Sequence, residues 1–238
     1  MVSTSREPER ISGMFDRIAY RYDRLNRVLS VGLDQRWRAR AIRELAFTGT
    51  EDVLDMCTGT ADLAIKAVTM GGGQARSVVG VDFAGEMLKL GLGKVRKAGL
   101  GSRIHLVRGD ATNVPLPDAS FDAAMVAFGI RNVHNYEAGL REFARVLKPG
   151  GRLAVLEFGK PQVPGIKQGY EWYFKYLLPV IGRMGSKHHE AYSYLPASVD
   201  QFPAPDVFAN MLKNHGFATV RTVSLTLGTV YLYIATRH

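Results

Sequence analysis

The feature that most constrains the fold is an alternation of short apolar runs and helical segments between residues 52 and 158. The apolar runs predict strands at 52–56, 77–82, 103–107, 121–127 and 152–158. The segments between them predict helices at 61–70, 84–98 and 135–147, and the sequence KPGG ends the last one. Because strands that alternate with helices pair in parallel, we expect an α/β protein with a doubly wound, mostly parallel sheet.

The chain before this core predicts helices. In residues 12–29, apolar side chains recur at helical spacing with arginines opposite, and a second amphipathic helix covers 34–46. We expect residues 1–47 to form an N-terminal helical lid over the cofactor-binding core that residues 52–158 form.

The chain after this core departs from the alternation. Residues 160–203 are rich in Pro, Tyr and Trp, and we expect an insert on the substrate side. Residues 204–238 predict a final helix and two strands, 218–225 and 229–236, which follow each other without a helix and should therefore be antiparallel. A chain of 238 residues with 46% apolar residues can bury one sizeable core, so we expect a single domain over 1–238.

Composition excludes several other classes of protein. The first ten residues, MVSTSREPER, lack the apolar stretch of a signal peptide, and a single cysteine excludes an internal disulfide framework. The longest apolar stretch near the C-terminal half, YFKYLLPVIG, is interrupted by Lys175 and Pro179 and is too short to span a bilayer. These features predict a cytoplasmic protein.

The charge balance bears on the partners that the surface can have. The net charge is +9, and every basic residue among the first fifty is an arginine. Such a surface suits nucleic acid or an anionic membrane, and a solvated helix face is the alternative. Because the sequence has no aromatic-interleaved basic motif and no zinc-finger spacing, we predict peripheral membrane contact, no nucleic-acid partner and no metal. A homodimer is compatible with the sequence.

Residues 53–64, VLDMCTGTADLA, carry the first sign of a binding site. A buried strand leads to Asp55, a tight turn over Thr58, Gly59 and Thr60 follows, and a helix then begins. Ligands of open α/β sheets bind beyond the carboxyl ends of the strands. Gly59 lets the backbone approach a ligand closely, and the free N–H groups of the next helix face that ligand.

Three further strand ends carry polar groups at the same edge of the sheet. The second strand ends at Asp82 and Phe83, where a carboxylate can accept hydrogen bonds from both hydroxyls of a ribose. The third is followed by RGDA, in which Asp110 and the Ala111 N–H can meet an adenine edge, and the fourth runs into AFGIRNV. S-adenosylmethionine fits this order better than NAD, because NAD does not require the third acid and its fingerprint has a third glycine where this chain has Ala61.

Over nearly its whole length the chain resembles the ubiquinone/menaquinone biosynthesis C-methyltransferases, a family of class I methyltransferases with a Rossmann-like sheet. The segments that carry the resemblance are MFDRIAYRYDRLNRVLSVGLDQRWR (14–38), VLDMCTGTADLA (53–64), GVDFAGEML (80–88), GDATNVPLPDASFD (109–122), AFGIRNV (127–133), RVLKPGGRLAVLEFGKP (145–161), AYSYLPASVDQFP (191–203) and LTLGTVYLY (225–233). The chain departs from the family pattern at Ala61, where the family has Gly, and at Gly159, where the family has Ser.

The resemblance implies methyl transfer from S-adenosylmethionine to a ring carbon of a reduced polyprenyl quinone, with demethylmenaquinol as the expected acceptor. It also implies cofactor contacts at Thr60, Asp82, Asp110, Ala111 and Ala127, the last through its backbone or by packing.

Carbon methylation of a hydroquinone needs a ring carbon that is nucleophilic. It becomes so when the neighbouring phenol, which titrates near pH 10, loses its proton, so the site must favour the phenolate or supply a base. We predict that Arg131 stabilises the phenolate or orients a water, that Asn132 holds a ring oxygen and that His134 accepts the proton. The alternatives are a structural salt bridge for Arg131 and a cap or surface position for His134.

Aromatic side chains are expected to hold the apolar acceptor. The segment GYEWYFKYLLPVIG (169–182) is apolar on more than one face, which suits core packing or a lipid-like ligand. The candidates for substrate contact are Phe15, Tyr22, Trp37, Phe128, Tyr173, Tyr192 and Tyr194. Cys57 lies in the cofactor turn, where a small residue is needed, so we predict a structural role for it.

Three other functions compete with this interpretation: methylation of another aromatic or lipid-like metabolite at carbon or oxygen, NAD-dependent oxidoreduction, and quinone binding without catalysis. Asp110 and the missing third glycine disfavour the oxidoreductase, and the presence of GIRN disfavours a silent protein.

Overall fold

A computed structural model describes residues 8–161 and 189–238, together with Gly165 and Gln168. In chain order the strands are β1 (Asp52–Met56), β2 (Ser77–Asp82), β3 (Ile104–Arg108), β4 (Phe121–Ala127), β5 (Leu147–Phe158), β6 (Phe217–Leu225) and β7 (Val230–Arg237). They form a seven-stranded sheet in the order β3-β2-β1-β4-β5-β7-β6. Strands β1 to β5 are parallel to their neighbours, and β7 is antiparallel to both β5 and β6.

Helices pack on both faces of this sheet. They are α1 (Pro8–Leu29), α2 (Asp34–Leu45), α3 (Asp62–Thr69), α4 (Gly85–Lys97), α5 (Tyr136–Val146), α6 (His189–Gln201) and α7 (Pro205–Asn214). Because successive side chains of a strand point to opposite faces, Val53 of β1 packs in a core with Ile42 of α2, while Leu54 packs in a second core with Phe143 and Phe208. Burial of a parallel strand on both faces explains why apolar residues predominate in these runs.

The predicted fold class is confirmed, and most element boundaries agree to within a residue or two. The main exception is β5, which begins at Leu147 instead of residue 152. Leu147 pairs with Phe121 ahead of a register shift, after which Ala123 pairs with Arg152. The KPGG segment therefore ends α5 as predicted but is itself part of an irregular strand.

The C-terminal strands form the antiparallel pair that the sequence predicted. Their order in the sheet could not be predicted, because β7 lies between β5 and β6. Of the predicted insert at 160–203, the structure describes residues 160, 161, 165, 168 and 189–203, and the last range includes α6. The aromatic segment at 169–182 lies outside the described residues.

Helix α1 lies over the carboxyl edge of the sheet and is tied to it by two aspartates. Asp16 Oδ1 accepts the backbone N–H of Glu86 at the start of α4 at 2.8 Å. Asp23 accepts a hydrogen bond from Thr60 Oγ1 at 2.6 Å and pairs with Lys94 Nζ at 2.5 Å. These contacts hold α1 against the turn that follows β1.

Candidate active site

A cleft at the carboxyl ends of β1, β2, β3 and β4 contains about 790 Å³ of empty space, part of which is open to solvent. The predicted cofactor residues that line it are Gly59, Asp82, Phe83, Asp110, Ala111 and Ala127. All of these except Ala127, which ends β4, lie on the side of the cleft beyond β1 to β3, which we call the donor side.

The turn after β1 depends on left-handed backbone. Cys57, Gly59 and Ala61 have φ angles of 53°, 57° and 65°. The Thr58 N–H donates to the Val81 carbonyl at 3.0 Å, and the Ala61 N–H donates to the Thr58 carbonyl at 3.0 Å. Only glycine adopts such angles without steric cost, so two of these three residues are strained.

Ala61 stands where a dinucleotide fingerprint has its third glycine, and its methyl group fits into space that a glycine of α4 leaves free. Its side chain is fully buried, and its methyl group lies 3.3 Å from the position that a Cβ on Gly91 of α4 would take. Gly91 therefore provides the space in which α4 approaches the turn. Ala61 is tolerated at this position because the residue of α4 that faces it, Gly91, has no side chain.

Cys57 is held in the turn by a close contact with the loop after β4. A Cβ built on Gly129 would lie 2.4 Å from the Cβ of Cys57, so the two backbones meet where only small residues fit. Burial raises the pKa of the Cys57 thiol well above its ordinary value, and the nearby carboxylate of Asp82 raises it further. A thiol kept neutral is a poor nucleophile, which supports the predicted structural role.

Asp82 joins the turn to the start of α4. Its Oδ2 accepts the Gly59 N–H at 2.7 Å, and its Oδ1 accepts the Ala84 N–H at 2.8 Å. Burial raises the pKa of this carboxyl, and the two N–H donors oppose that rise. The carboxylate also lines the cleft, where its remaining lone pairs can accept hydrogen bonds from a ligand.

Asp110 is similarly fixed, at the end of β3. Its Oδ1 accepts hydrogen bonds from the backbone N–H and the hydroxyl of Thr112 at 2.8 and 2.9 Å. Within the described part of the chain no hydrogen bond to its Oδ2 is found, so this oxygen is the one available to a ligand.

Three predicted cofactor residues, Asp55, Thr58 and Thr60, do not line the cleft. Asp55 is 1% exposed, accepts the Thr58 hydroxyl at 2.6 Å, and has a pKa raised by burial to about 7. The Thr60 hydroxyl is taken by Asp23 and by Lys94, whose Nζ donates to it at 2.8 Å. The side chains of these three residues lie behind the cleft wall, where their hydrogen bonds stabilise the turn after β1.

The donor side fits S-adenosylmethionine. Apart from Gly59 itself and its two chain neighbours, no atom of the described residues lies within 4 Å of the position that a Cβ on Gly59 would take, so the turn leaves open space beside the ligand position. Two carboxylates, of Asp82 and Asp110, face that space from neighbouring strand ends. They match a ligand that offers ribose hydroxyls and an adenine amino group as hydrogen-bond donors.

The other side of the cleft, which we call the acceptor side, lies beyond β4 and beneath α1. The predicted substrate and catalytic residues that line it are Phe15, Tyr22, Phe128, Asn132 and His134. The side-chain oxygen of Asn132 is buried and has no hydrogen-bond partner among the described residues. His134 is exposed. A buried acceptor without a partner is costly, so this oxygen is suited to bind a donor on a ligand.

Arg131 does not line the cleft and is 5% exposed. Its Nη1 pairs with Glu157 Oε1 at 2.9 Å and donates to the Phe128 carbonyl at 2.6 Å, and its Nε donates to Ser198 Oγ at 3.2 Å. Burial alone would lower the pKa of the guanidinium, but the Glu157 carboxylate raises it above its ordinary value. The structure thus contains the salt bridge that the sequence offered as the alternative for Arg131.

Glu157 is the residue of this site that the sequence interpretation missed. It is fully buried, and besides the Arg131 side chain it accepts the backbone N–H groups of Arg131 at 3.3 Å and Phe158 at 2.8 Å. The available signal was a lone acid in the apolar strand sequence RLAVLEF. Buried acids are almost always paired, so this one called for a basic partner.

The remaining aromatic candidates lie behind the cleft or beyond the described residues. Trp37 packs on Phe128 at a ring distance of 6.0 Å, and its Nε1 donates to Thr226 Oγ1 at 2.9 Å. Tyr194 is buried in a cluster with residues of α1. Tyr173 lies outside the described residues, as does the side chain of Tyr192.

Among the described residues, no helix is long and apolar enough to cross a membrane.

The fold and the donor side together define a class of protein, the methyltransferases that use S-adenosylmethionine. A crystal structure of a SAM-dependent methyltransferase from Aquifex aeolicus has the same fold, with a TM-score of 0.60 over 84% of this chain and 89% of that one, at 21% identity. The chain belongs to the ubiE/COQ5 methyltransferase family, whose model matches residues 3–237. The oxidoreductase alternative is therefore wrong.

Named relatives of this family match the chain along its length. It is 44% identical over 237 residues to the ubiquinone/menaquinone biosynthesis C-methyltransferase UbiE of Geobacter sp. (strain M21), covering 100% of both chains. It is 40% identical over 232 residues to the demethylmenaquinone methyltransferase of Bacteroides fragilis, covering 98% of this chain and 94% of the relative. The resemblance seen in the sequence is confirmed, and the chain is an S-adenosylmethionine-dependent C-methyltransferase.

Proposed function

We propose that the protein methylates a ring carbon of a reduced polyprenyl quinone, and that its acceptor is demethylmenaquinol. The observation that carries the proposal is the composition of the acceptor side, which is lined by the aromatic residues Phe15, Tyr22 and Phe128 and by Asn132, whose buried side-chain oxygen has no hydrogen-bond partner among the described residues. A flat aromatic ring with a hydroxyl group matches these two features. The name of the Bacteroides fragilis relative supports this acceptor, and the name of the Geobacter relative includes both the ubiquinone and the menaquinone pathways.

Bound S-adenosylmethionine would supply a methyl group already activated by its sulfonium. The chain has to hold a ring carbon in line with that methyl group and to promote loss of a phenolic proton. After the methyl group is attached, the same ring carbon loses its own hydrogen as a proton and the ring oxygen takes one up, which restores the aromatic hydroquinone. Alignment alone can contribute up to about 7–11 kcal/mol to lowering the barrier.

Asn132 is the residue that we assign to the ring oxygen. Its side-chain oxygen can accept a hydrogen bond from the hydroxyl group of the acceptor, and its amide N–H can donate one to the phenolate that forms. His134 lies at the exposed rim of the same cleft, where an imidazole can accept the proton and pass it to solvent.

Arg131 is a positioning residue in this proposal. Its guanidinium donates a hydrogen bond to the carbonyl of Phe128, a residue whose φ of 61° is left-handed. Arg131 itself lies in the short 3₁₀ segment Ile130–Asn132, next to Asn132. Its charge is balanced by Glu157. It therefore acts through the placement of Phe128 and Asn132, whereas a direct contact with the phenolate would require it to leave that pair.

The remaining predictions concern where the enzyme works. A prenyl acceptor resides in a membrane, so we propose a cytoplasmic enzyme that contacts the membrane peripherally. A homodimer stays a prediction.

An anaerobic incubation tests the proposed reaction. The purified protein is given methyl-labelled S-adenosylmethionine and either a reduced demethylmenaquinone or a reduced ring-demethylated benzoquinone, each with a short prenyl tail. We expect mass spectrometry to find the label on a ring carbon, and to find it faster with the naphthoquinol. Binding of the cofactor without labelling of either quinol would contradict the proposal, and faster labelling of the benzoquinol would move the assignment to that acceptor.

A further inference from the structure

Helix α1 presents two different faces. Its inner face contributes Ile11, Phe15 and Tyr22 to the wall of the cleft. On the opposite face, Tyr20 is 83% exposed and Val28 is 52% exposed, although both are large apolar residues. Residues 20, 24 and 28 recur every four positions, so they form one stripe about 12 Å long on the outside of the helix.

The stripe continues into the turn after α1. The Gly32 N–H donates to the Arg27 carbonyl at 2.8 Å, which closes the helix in a Schellman motif and puts Val31 at the position that usually holds glycine. Val31 has a φ of 51° and is 85% exposed. A β-branched residue in left-handed backbone is strained, and packing cannot explain this one because it touches so little of the protein.

The charges around the stripe are mainly basic. Arg24 is exposed, and the side chain of Arg27 is 52% exposed with its Nε 3.6 Å from Asp34. The acids Asp16 and Asp23 of the same helix are engaged on its other side with α4 and with the turn after β1. The outer face is left with arginines beside exposed apolar side chains.

We infer that this outer face, which consists of Tyr20, Arg24, Arg27, Val28 and Val31, docks on an anionic phospholipid bilayer. Aromatic and aliphatic side chains flanked by arginines are the composition of helices that lie in the membrane interface, where the rings and methyl groups enter the acyl boundary and the cations bind phosphate. The net charge of +9 of the whole chain also favours binding to an anionic bilayer. The inference deepens the proposed function, because the helix that would lie on the bilayer also forms a wall of the acceptor side.

Vesicle binding of the full chain tests the inference. We expect wild-type protein to co-sediment with phosphatidylcholine vesicles that contain phosphatidylglycerol and not with phosphatidylcholine alone. The variant Arg24→Gln/Arg27→Gln should bind the anionic vesicles about 10- to 30-fold more weakly, since it loses two basic residues near the surface. The variant Tyr20→Ser/Val28→Ser should also bind more weakly. The matched control Val207→Ser/Lys213→Gln changes exposed residues of α7 and should bind like wild type.

Val31 provides a second variant in which loss of binding cannot be a folding defect. Asparagine tolerates left-handed backbone, so Val31→Asn should raise the free energy of unfolding while it weakens vesicle binding. A stabilised protein that binds vesicles as tightly as wild type would remove Val31 from the docking face.

Other outcomes would overturn the inference, and they are distinguishable from failure of the proposed function. Equal binding to both kinds of vesicle, or binding unaffected by either double variant, would exclude this face as an anionic-membrane surface. A wild-type dimer that dissociates in Tyr20→Ser/Val28→Ser would show that a second copy of the chain covers the face. Activity on a short-chain quinol in solution tests the reaction alone, and we expect the docking variants to keep it while they methylate a long-chain quinol in vesicles more slowly.

Discussion

On the donor side of the cleft the carboxylates of Asp82 and Asp110 face the ligand space, whereas on the acceptor side the charged pair Arg131–Glu157 is withdrawn behind the wall. Asp82 and Asp110 are fixed by N–H groups and keep lone pairs for a ligand. In the pair, cation and anion neutralise each other, and mainly aromatic and apolar groups line the space in front of them. This difference indicates how one cleft can bind both a polar cofactor and an apolar ring: the carboxylates are exposed to the ligand at one end, and the charged groups are paired behind the wall at the other.

The largest expected effect comes from breaking the buried pair. Glu157→Gln leaves the Arg131 guanidinium buried without its counter-ion, and we expect a loss of about 3–5 kcal/mol in the free energy of unfolding, measured with urea. The double variant Glu157→Gln/Arg131→Met should lose less than the single one. A matched control is Asp118→Asn, which removes an ion pair from Arg145 at an exposed carboxylate and should cost about 1 kcal/mol or less. If Glu157→Gln lowered the free energy of unfolding by no more than this control does, the stability of the protein would not depend on neutralising the Arg131 charge behind the acceptor side.

The next largest effect is expected from Asp55, whose buried carboxyl group lies behind the wall of the donor side. Burial raises its pKa to about 7 from an ordinary 3.8, so the folded protein holds a proton that the unfolded chain releases between about pH 4 and 7. The ionisation of Asp55 should therefore lower the stability of the wild-type protein by roughly 2–4 kcal/mol as the pH rises through this window. Asp55→Asn keeps an acceptor for the Thr58 hydroxyl and should lack that part of the pH dependence. Parallel stability curves for the two proteins would show that Asp55 is ionised throughout.

A smaller effect is expected on cofactor binding. Asp82→Asn replaces one of the two carboxylate oxygens with an NH2 group, so it loses the bond to either the Gly59 or the Ala84 N–H and weakens the acceptor of a ligand hydroxyl. We expect the Kd for S-adenosylhomocysteine to rise about 10- to 100-fold by calorimetry, and the free energy of unfolding to fall by about 1–3 kcal/mol because one buried N–H loses its acceptor. An unchanged Kd would contradict the placement of the donor on this side.

The smallest effect concerns Ala61. Glycine would relieve a φ of 65°, but it would also remove a fully buried methyl group and make the unfolded chain more flexible. We expect these terms to offset one another to within about 1 kcal/mol in urea unfolding. A loss of more than about 2 kcal/mol would mean that the methyl group is needed to pack α4 against the turn.

The donor side was largely predictable because its signals are local in the sequence. A strand that ends at Asp82 and a turn around Gly59 can be read from neighbouring residues, and the rules of parallel sheets place such ends at one edge. The sequence did not indicate that the Thr60 hydroxyl is bound by Asp23, because Asp23 lies on a helix whose position relative to the turn the sequence does not give.

The acceptor side was less predictable because its contacts are long-range. The partner of Arg131 is Glu157, on a strand 26 residues further along the chain, and the pairing depends on β4 and β5 being neighbours. The same limit applies to β7, which lies between β5 and β6 although it follows both in sequence. Local pattern predicts elements, but sheet order decides which of their ends meet.

The most direct test of the division of the cleft is a kinetic comparison of Asn132→Ala with wild type, together with the Kd for S-adenosylhomocysteine. The matched control is Asn210→Ala, at an exposed position of α7. We predict that Asn132→Ala lowers kcat for the quinol about 10- to 1,000-fold, as loss of an oriented hydrogen-bonding group does, and leaves the Kd for S-adenosylhomocysteine unchanged. A variant with normal kcat, or one that loses cofactor affinity as Asp82→Asn is expected to, would contradict the account.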